Sequence, residues 1–140
     1  MGSLVKFFVF FLCSQFIQSQ VDTGTDVHVV VENIKSNNGT IYMAIYSTET
    51  SFLNSEYKGA IVPIDAYTCR YTFKDIPRGV YAISLFHDEN DNGAMDTNFV
   101  GIPKEAYGCS NNARGFMGPP KWKDAKFEIT DQEITQTIAL

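Results

Sequence analysis

Residues 27–47 read VHVVVENIKSNNGTIYMAIYS. Val27, Val29 and Val31 fall on one face of an alternating run, with His28, Val30 and Glu32 on the other. β-Branched residues at a period of two make a half-buried strand. Ser36-Asn37-Asn38-Gly39 comes next, and Asn-Gly accepts the positive φ that a tight hairpin needs. Ile41, Met43 and Ile45 then alternate with Tyr42, Ala44 and Tyr46 in a returning strand. One strand, a tight turn and a second strand are therefore written into these residues.

The same grammar extends outward. Residues 48–58 are polar around two anchors, Phe52 and Tyr57, and read as a loop or short helical turn. Residues 60–64 make a short strand, and Pro63 places it at an edge because proline cannot donate to a ladder. Residues 67–73 put Cys69, Tyr71 and Phe73 on one face, and Asp75-Ile76-Pro77-Arg78-Gly79 is a tight turn. Residues 80–87 set Val80, Ala82, Ser84 and Phe86 against Tyr81, Ile83, Leu85 and His87. Residues 126–129 and 134–140 close the chain as strands, with Ile134, Gln136, Ile138 and Leu140 on one face. Seven strands without a convincing helix predict an all-β fold, a single antiparallel β-sandwich.

The chain has 140 residues, of which 44% are hydrophobic, enough for one packed domain. Eleven basic residues against sixteen acids give a net charge of -5. That sign argues against nucleic acid as a partner, because such affinity is largely neutralisation of phosphates by Lys and Arg. The first residues, MGSLVKFFVFFLCSQFIQSQ, have a cationic start, an apolar run over residues 7–12, and then small and polar residues. This is the pattern of a signal peptide over residues 1–20. The run is too short to span a bilayer, which takes about 20 apolar residues. The expected mature domain, residues 21–140, has no transmembrane segment, and its expected location is secreted, periplasmic or extracellular. Cys69 and Cys109 remain in it. They are either a disulfide, worth about 2–4 kcal/mol, or two buried thiols.

Between residues 88 and 125 the strand signal stops. A connection this long inside a compact domain is usually functional. It carries Phe99, Val100, Ile102, Tyr107, Phe116, Met117 and Trp122, so much of it is expected to pack back onto the sandwich. Its first part, HDENDNGAMD, sets Asp88, Asn90, Asn92, Gly93 and Asp96 at relative positions 1, 3, 5, 6 and 9. Alternate oxygens, a glycine at the bend and a carbonyl after it, here that of Ala94, match the first nine residues of an EF-hand-type loop. Calcium is the candidate cofactor, with Asp88, Asn90, Asn92, Ala94 and Asp96 as ligands. The bidentate Glu of position 12 is missing, since Phe99 stands there. Glu105, or Asp91, is the candidate to complete the shell, and affinity is expected on the order of 10⁻⁴–10⁻³ M. The alternative is an Asx-rich turn that bonds to its own backbone without metal. Zinc is disfavoured: His28 and His87 lie on different strands, and no Cys or His pair has a ligand spacing.

The run HDENDNGAMDTNFVGIPKEAYGCSNN, with FKDIPRGVYAISLFHDEN before it and GPPKWKDAKFEI after it, resembles the secreted bacterial proteins grouped as domain of unknown function 2141. The likeness runs from Val27 to Leu140. Cys109 stands where that family's Gly-Phe-Ser-Asn run would have Phe, which suits either a disulfide with Cys69 or a smaller buried residue. The resemblance implies an immunoglobulin- or transthyretin-like sandwich and no established activity.

Three functions follow. The first is a non-catalytic binding or envelope-associated module, ordered by calcium at residues 88–96, with Tyr107, Asn111, Asn112 and Trp122 as the candidate surface for a glycan or protein ligand. The second is a hydrolase built on His87 and nearby carboxylates, with Ser110 downstream; no nucleophile motif accompanies it. The third is a purely structural extracellular component.

Overall fold

The computed structural model describes residues 23–140. The signal peptide expected over residues 1–20 lies outside the described residues. Strands β1 (Thr25–Glu32), β2 (Thr40–Tyr46), β3 (Lys58–Pro63), β4 (Cys69–Ile76) and β5 (Gly79–Asp88) come first. They are followed by β6 (Tyr107–Cys109), the 3-10 turn Ser110–Asn112, the one-turn helix α1 (Trp122–Ala125), β7 (Phe127–Ile129) and β8 (Ile134–Ala139).

Two sheets form the expected sandwich. One has the order β4-β1-β8; in the other, β3-β2-β5-β6 are neighbours and β7 also pairs with β5. Pro63 closes β3 at the edge of the second sheet, where the missing N–H costs no ladder bond. The sandwich is antiparallel in every pairing but one. β8 lies parallel to β1, with Val27 opposite Ile134 and Val31 opposite Ile138.

The core is built from the alternation read in the sequence. Val27, Val29 and Val31 of β1, Ile41 and Ile45 of β2, and Ile83 of β5 are at most 1% exposed and share one cluster with Phe73, Ile76 and Ile138. A second cluster covers part of the outer face of the larger sheet. It joins Tyr46, Phe52, Ala82, Cys109, Ala113 and Ala125, with Trp122 packed against it. Trp122 meets Phe52 edge-on at 5.8 Å.

Cys69 and Cys109 are both buried and both free. The bridge weighed for them is not formed, and topology gives the reason. Cys69 points into the main core, whereas Cys109 is in register with Ser84 and belongs to the outer cluster. The larger sheet stands between the two sulfurs.

The connection over residues 88–125 is ordered but is not structureless. β6 adds to β5 with Tyr107 opposite Phe86, which alternation could not reveal in only three residues. Nor do its large apolar residues all return to the sandwich. Phe99 is 100% exposed, Phe116 90% and Met117 95%, and Val100 and Ile102 are exposed as well.

Candidate functional site

The Asp88–Asp96 bend is where the sequence placed its chemistry, and the structure gathers those residues. Asp88 ends β5 and is fully buried. Its Oδ1 accepts the Asn92 N–H at 3.2 Å and its Oδ2 the Gly93 N–H at 2.8 Å. Asn90 Oδ1 also accepts the Asn92 N–H, and Asn92 Oδ1 accepts the Ala94 N–H at 2.9 Å. The side-chain amides of Asn90 and Asn92 donate to the two oxygens of Asp96 at 2.7 and 3.0 Å. Glu105 reaches the same bend, where its Oε2 accepts the Asp96 N–H at 3.1 Å. Gly93 has φ 79°, the left-handed backbone that the bend requires.

This is a self-bonded Asx network. The side-chain oxygens proposed as ligands also accept hydrogen bonds from the loop's own donors. Among the described residues no group of three or more His, Cys, Asp or Glu side chains is placed to hold a metal ion.

His87 is 1% exposed. Its Nε2–H donates to the Asn38 carbonyl at 2.7 Å, and Nδ1 lies 3.6 Å from Glu89. Ser110 is fully buried; its Oγ accepts the Ile83 N–H at 2.9 Å and donates to the Ala125 carbonyl at 2.5 Å. Each of these groups ties one segment to another, and among the described residues no hydrogen bond joins His87, Asp88 and Ser110 into a relay.

The predicted ligand surface is dispersed. Asn111 donates its amide to the carbonyls of Asp124 and Lys126. Asn112 pairs with the backbone of Thr137 and Ala139 on β8. Both side chains fasten the long connection to the sandwich. Trp122 is half-buried over the outer cluster. Tyr107 alone of the four lies in an aromatic row.

That row leads to a site the sequence reading missed. On the outer face of the larger sheet, the register aligns Ile61, Tyr42, Phe86 and Tyr107 across four strands. Tyr42 and Phe86 stack with centroids 5.2 Å apart and planes 18° from parallel. The next row is small: Gly59, Ala44 and Ser84. Tyr46 rises beyond it, its hydroxyl 3.2 Å from Ser84 Oγ. A row of small residues between the aromatic row and Tyr46 leaves a trough of about 660 Å³, and Glu56 lies at its Gly59 end. Burial pushes the Tyr46 phenol above its ordinary pKa, with Glu56 adding to that and the Ser84 bond opposing it. Tyr46 therefore presents a neutral hydroxyl. The Tyr42 hydroxyl reaches the Gly93 bend, since a Cβ at Gly93 would sit 3.4 Å from it. The signal was available in the sequence: Tyr42, Tyr46 and Phe86 occupy the non-core positions of their strands, where aromatics need a reason.

Neither curated proteins nor solved structures give a match to this chain. A family model described as an uncharacterized protein conserved in bacteria, domain of unknown function 2141, matches residues 29–137. That span is most of the chain, and the protein belongs to this family.

Proposed function

We propose that this protein is an exported, non-catalytic binding module that holds a sugar ring of a glycan in the trough between Tyr42–Phe86 and Tyr46. The observation that carries the reading is the arrangement on the outer face: an aromatic row, a row of small residues, and Tyr46 beyond it. A sugar ring has an apolar C–H face that stacks on flat side chains and a rim of hydroxyls that needs hydrogen-bond partners. Tyr46, Ser84 and Glu56 supply those partners, two as neutral hydroxyls and one as a carboxylate at the end of the trough. Export rests on the leader pattern of residues 1–20. In this reading the Asp88–Asp96 bend is a rigid abutment for Tyr42.

The test is calorimetric titration with a panel of neutral oligosaccharides, with a quaternary ammonium compound as the opposing probe. Binding of a saccharide, lowered at least about tenfold by Phe86→Ala, supports the reading. Binding of the ammonium compound alone, or saccharide binding indifferent to Phe86→Ala and Gly59→Leu, removes it.

Calcium at the bend is a second reading, supported by the convergence of Asp88, Asn90, Asn92, Asp96 and Glu105. A cation there would have to displace N–H donors from Asp88 and Asp96, which places its affinity in the weak range, on the order of 10⁻³ M. A rise in melting temperature on adding calcium to chelator-stripped protein, lost in Asp96→Asn, supports it. No rise at millimolar calcium removes it.

A further inference from the structure

The long connection carries two tight turns with the wrong residues at their tips. In the first, the Gly101 N–H donates to the Asn98 carbonyl at 3.0 Å. Asn98 Oδ1 accepts the N–H groups of Val100 and Ile102, and Thr97 pairs with Pro103 as a bridge. Phe99 and Val100 are the two central residues of that turn. In the second, Gly115 and Gly118 approach so closely that a Cβ on Gly115 would sit 1.8 Å from the Gly118 carbonyl oxygen. Phe116 and Met117 stand at its apex, and Met117 is held at φ 55°, a backbone that a bulky residue adopts only at a cost.

Turn centres are normally Gly, Pro, Asn, Asp or Ser. Here both apices carry a consecutive pair of apolar side chains, all exposed and, for Phe99, Phe116 and Met117, almost wholly in water. The turns face one groove, lined by Val100, Ile102, Tyr107, Met117 and Pro119. Local rules broken without a packing gain mark a functional surface.

Charge identifies what meets it. The chain is acidic, with no base between Arg78 and Lys104. In the segments that flank the two tips the sign reverses: Lys104, Arg114, Lys121 and Lys123 are all exposed, against Asp96, Glu105 and Asp124. Lys104, Arg114 and Lys121 each adjoin a residue lining the groove. Arg114 is fixed by hydrogen bonds to the carbonyls of Tyr107 and Ala139 at 3.1 and 3.0 Å. Projecting apolar tips flanked in the chain by exposed bases suit an anionic bilayer, whose interface takes the side chains and whose headgroups take the charge.

We infer that the Phe99–Val100 and Phe116–Met117 tips insert into the interface of an anionic membrane, with Lys104, Arg114 and Lys121 on the headgroups. This surface meets the Tyr42–Phe86 row at Tyr107 but does not depend on a ligand in the trough.

The test is co-sedimentation of the protein, expressed as the full chain, with two kinds of vesicle: phosphatidylcholine alone, and phosphatidylcholine carrying phosphatidylglycerol. Binding to the anionic vesicles is expected, weakening as salt is raised. Phe99→Ser with Phe116→Ser should lower it at least about tenfold, and Lys104→Gln with Lys121→Gln should lower it on anionic vesicles and flatten its salt dependence. Any retained leader is common to all variants, so the difference reports the tips. Because Phe99 and Phe116 are exposed, the serine variants should melt as the parent does. Absence of anionic-vesicle binding overturns the inference. So does equal binding by the serine variants, or a dimer that they convert to monomer while vesicle binding is absent, which would assign the tips to a second copy of the chain.

Discussion

Tyr42 and Phe86 stack across β2 and β5 at 5.2 Å, in register with each other and on the face of the sheet turned away from the core. Their stacking is worth about 0.5–1.5 kcal/mol beyond the area the rings cover. A double-mutant cycle of Tyr42→Ala and Phe86→Ala, read by urea denaturation, should return a coupling in that range. Additive losses would show that the rings do not support each other.

Asp88 is the most consequential side chain of the bend. Its buried carboxylate receives the N–H groups of Asn92 and Gly93, of which the Asn92 N–H is shared with Asn90 Oδ1. Asp88→Ala should cost about 1.5–3 kcal/mol, the contribution of hydrogen bonds to a charged acceptor. Asp88→Asn should cost nearly as much, since one acceptor oxygen becomes a donor facing another donor. Chemical denaturation measures both, and a loss below about 0.5 kcal/mol for Asp88→Ala would show that the N–H groups find other partners.

Ser110 should behave as a staple between β5 and the one-turn helix. Ser110→Ala removes the acceptor of Ile83 N–H and the donor to Ala125 in a fully buried place. The expected loss is about 1–3 kcal/mol. Hydrogen exchange of the Ile83 amide should quicken in the same variant, which a general loss of packing would not single out.

The two cysteines give a pH signature. Burial raises both thiols from 9.0 to about 11, with Arg114 opposing the rise at Cys109. The folded state therefore holds protons that the unfolded state has released between pH 9 and 11. Their contribution to stability is complete below pH 9 and is lost as pH rises through that window. The loss is on the order of 2 kcal/mol for each thiol. Tyr46 and Tyr81, also raised chiefly by burial, add to the same slope. Cys69→Ala with Cys109→Ala should flatten the decline between pH 9 and 11 without abolishing it. At neutral pH neither native thiol should alkylate, and both should after unfolding.

The sandwich was legible because Val27, Val29 and Val31, or Ile41 and Ile45, announce a buried face by alternation alone. What alternation cannot report is which strand lies beside which, so the parallel pairing of β8 with β1 was invisible. Three-residue β6 is shorter than any reliable period. At the bend, spacing located the oxygens that converge, but Asx turns and cation loops draw on the same residues, and only geometry showed the amide and backbone donors on Asp88 and Asp96. The trough lay in plain letters at Tyr42, Ala44, Tyr46, Ser84 and Phe86, but its rows exist only once β2 and β5 are set in register. Exposed Phe99 and Phe116 were misread because large apolar residues are usually buried.

The position of β1 has a consequence for assembly. It is the middle strand of its sheet, and one of its two neighbours is β8. One of its two hydrogen-bonding edges therefore waits, unsatisfied, until residues 134–139 have been made. A chain that emerges amino end first cannot complete this sheet before β8 is available. Its slowest event should be the docking of that late strand, and until then the open flank of β1 is the place where chaperones, proteases or aggregation would find it.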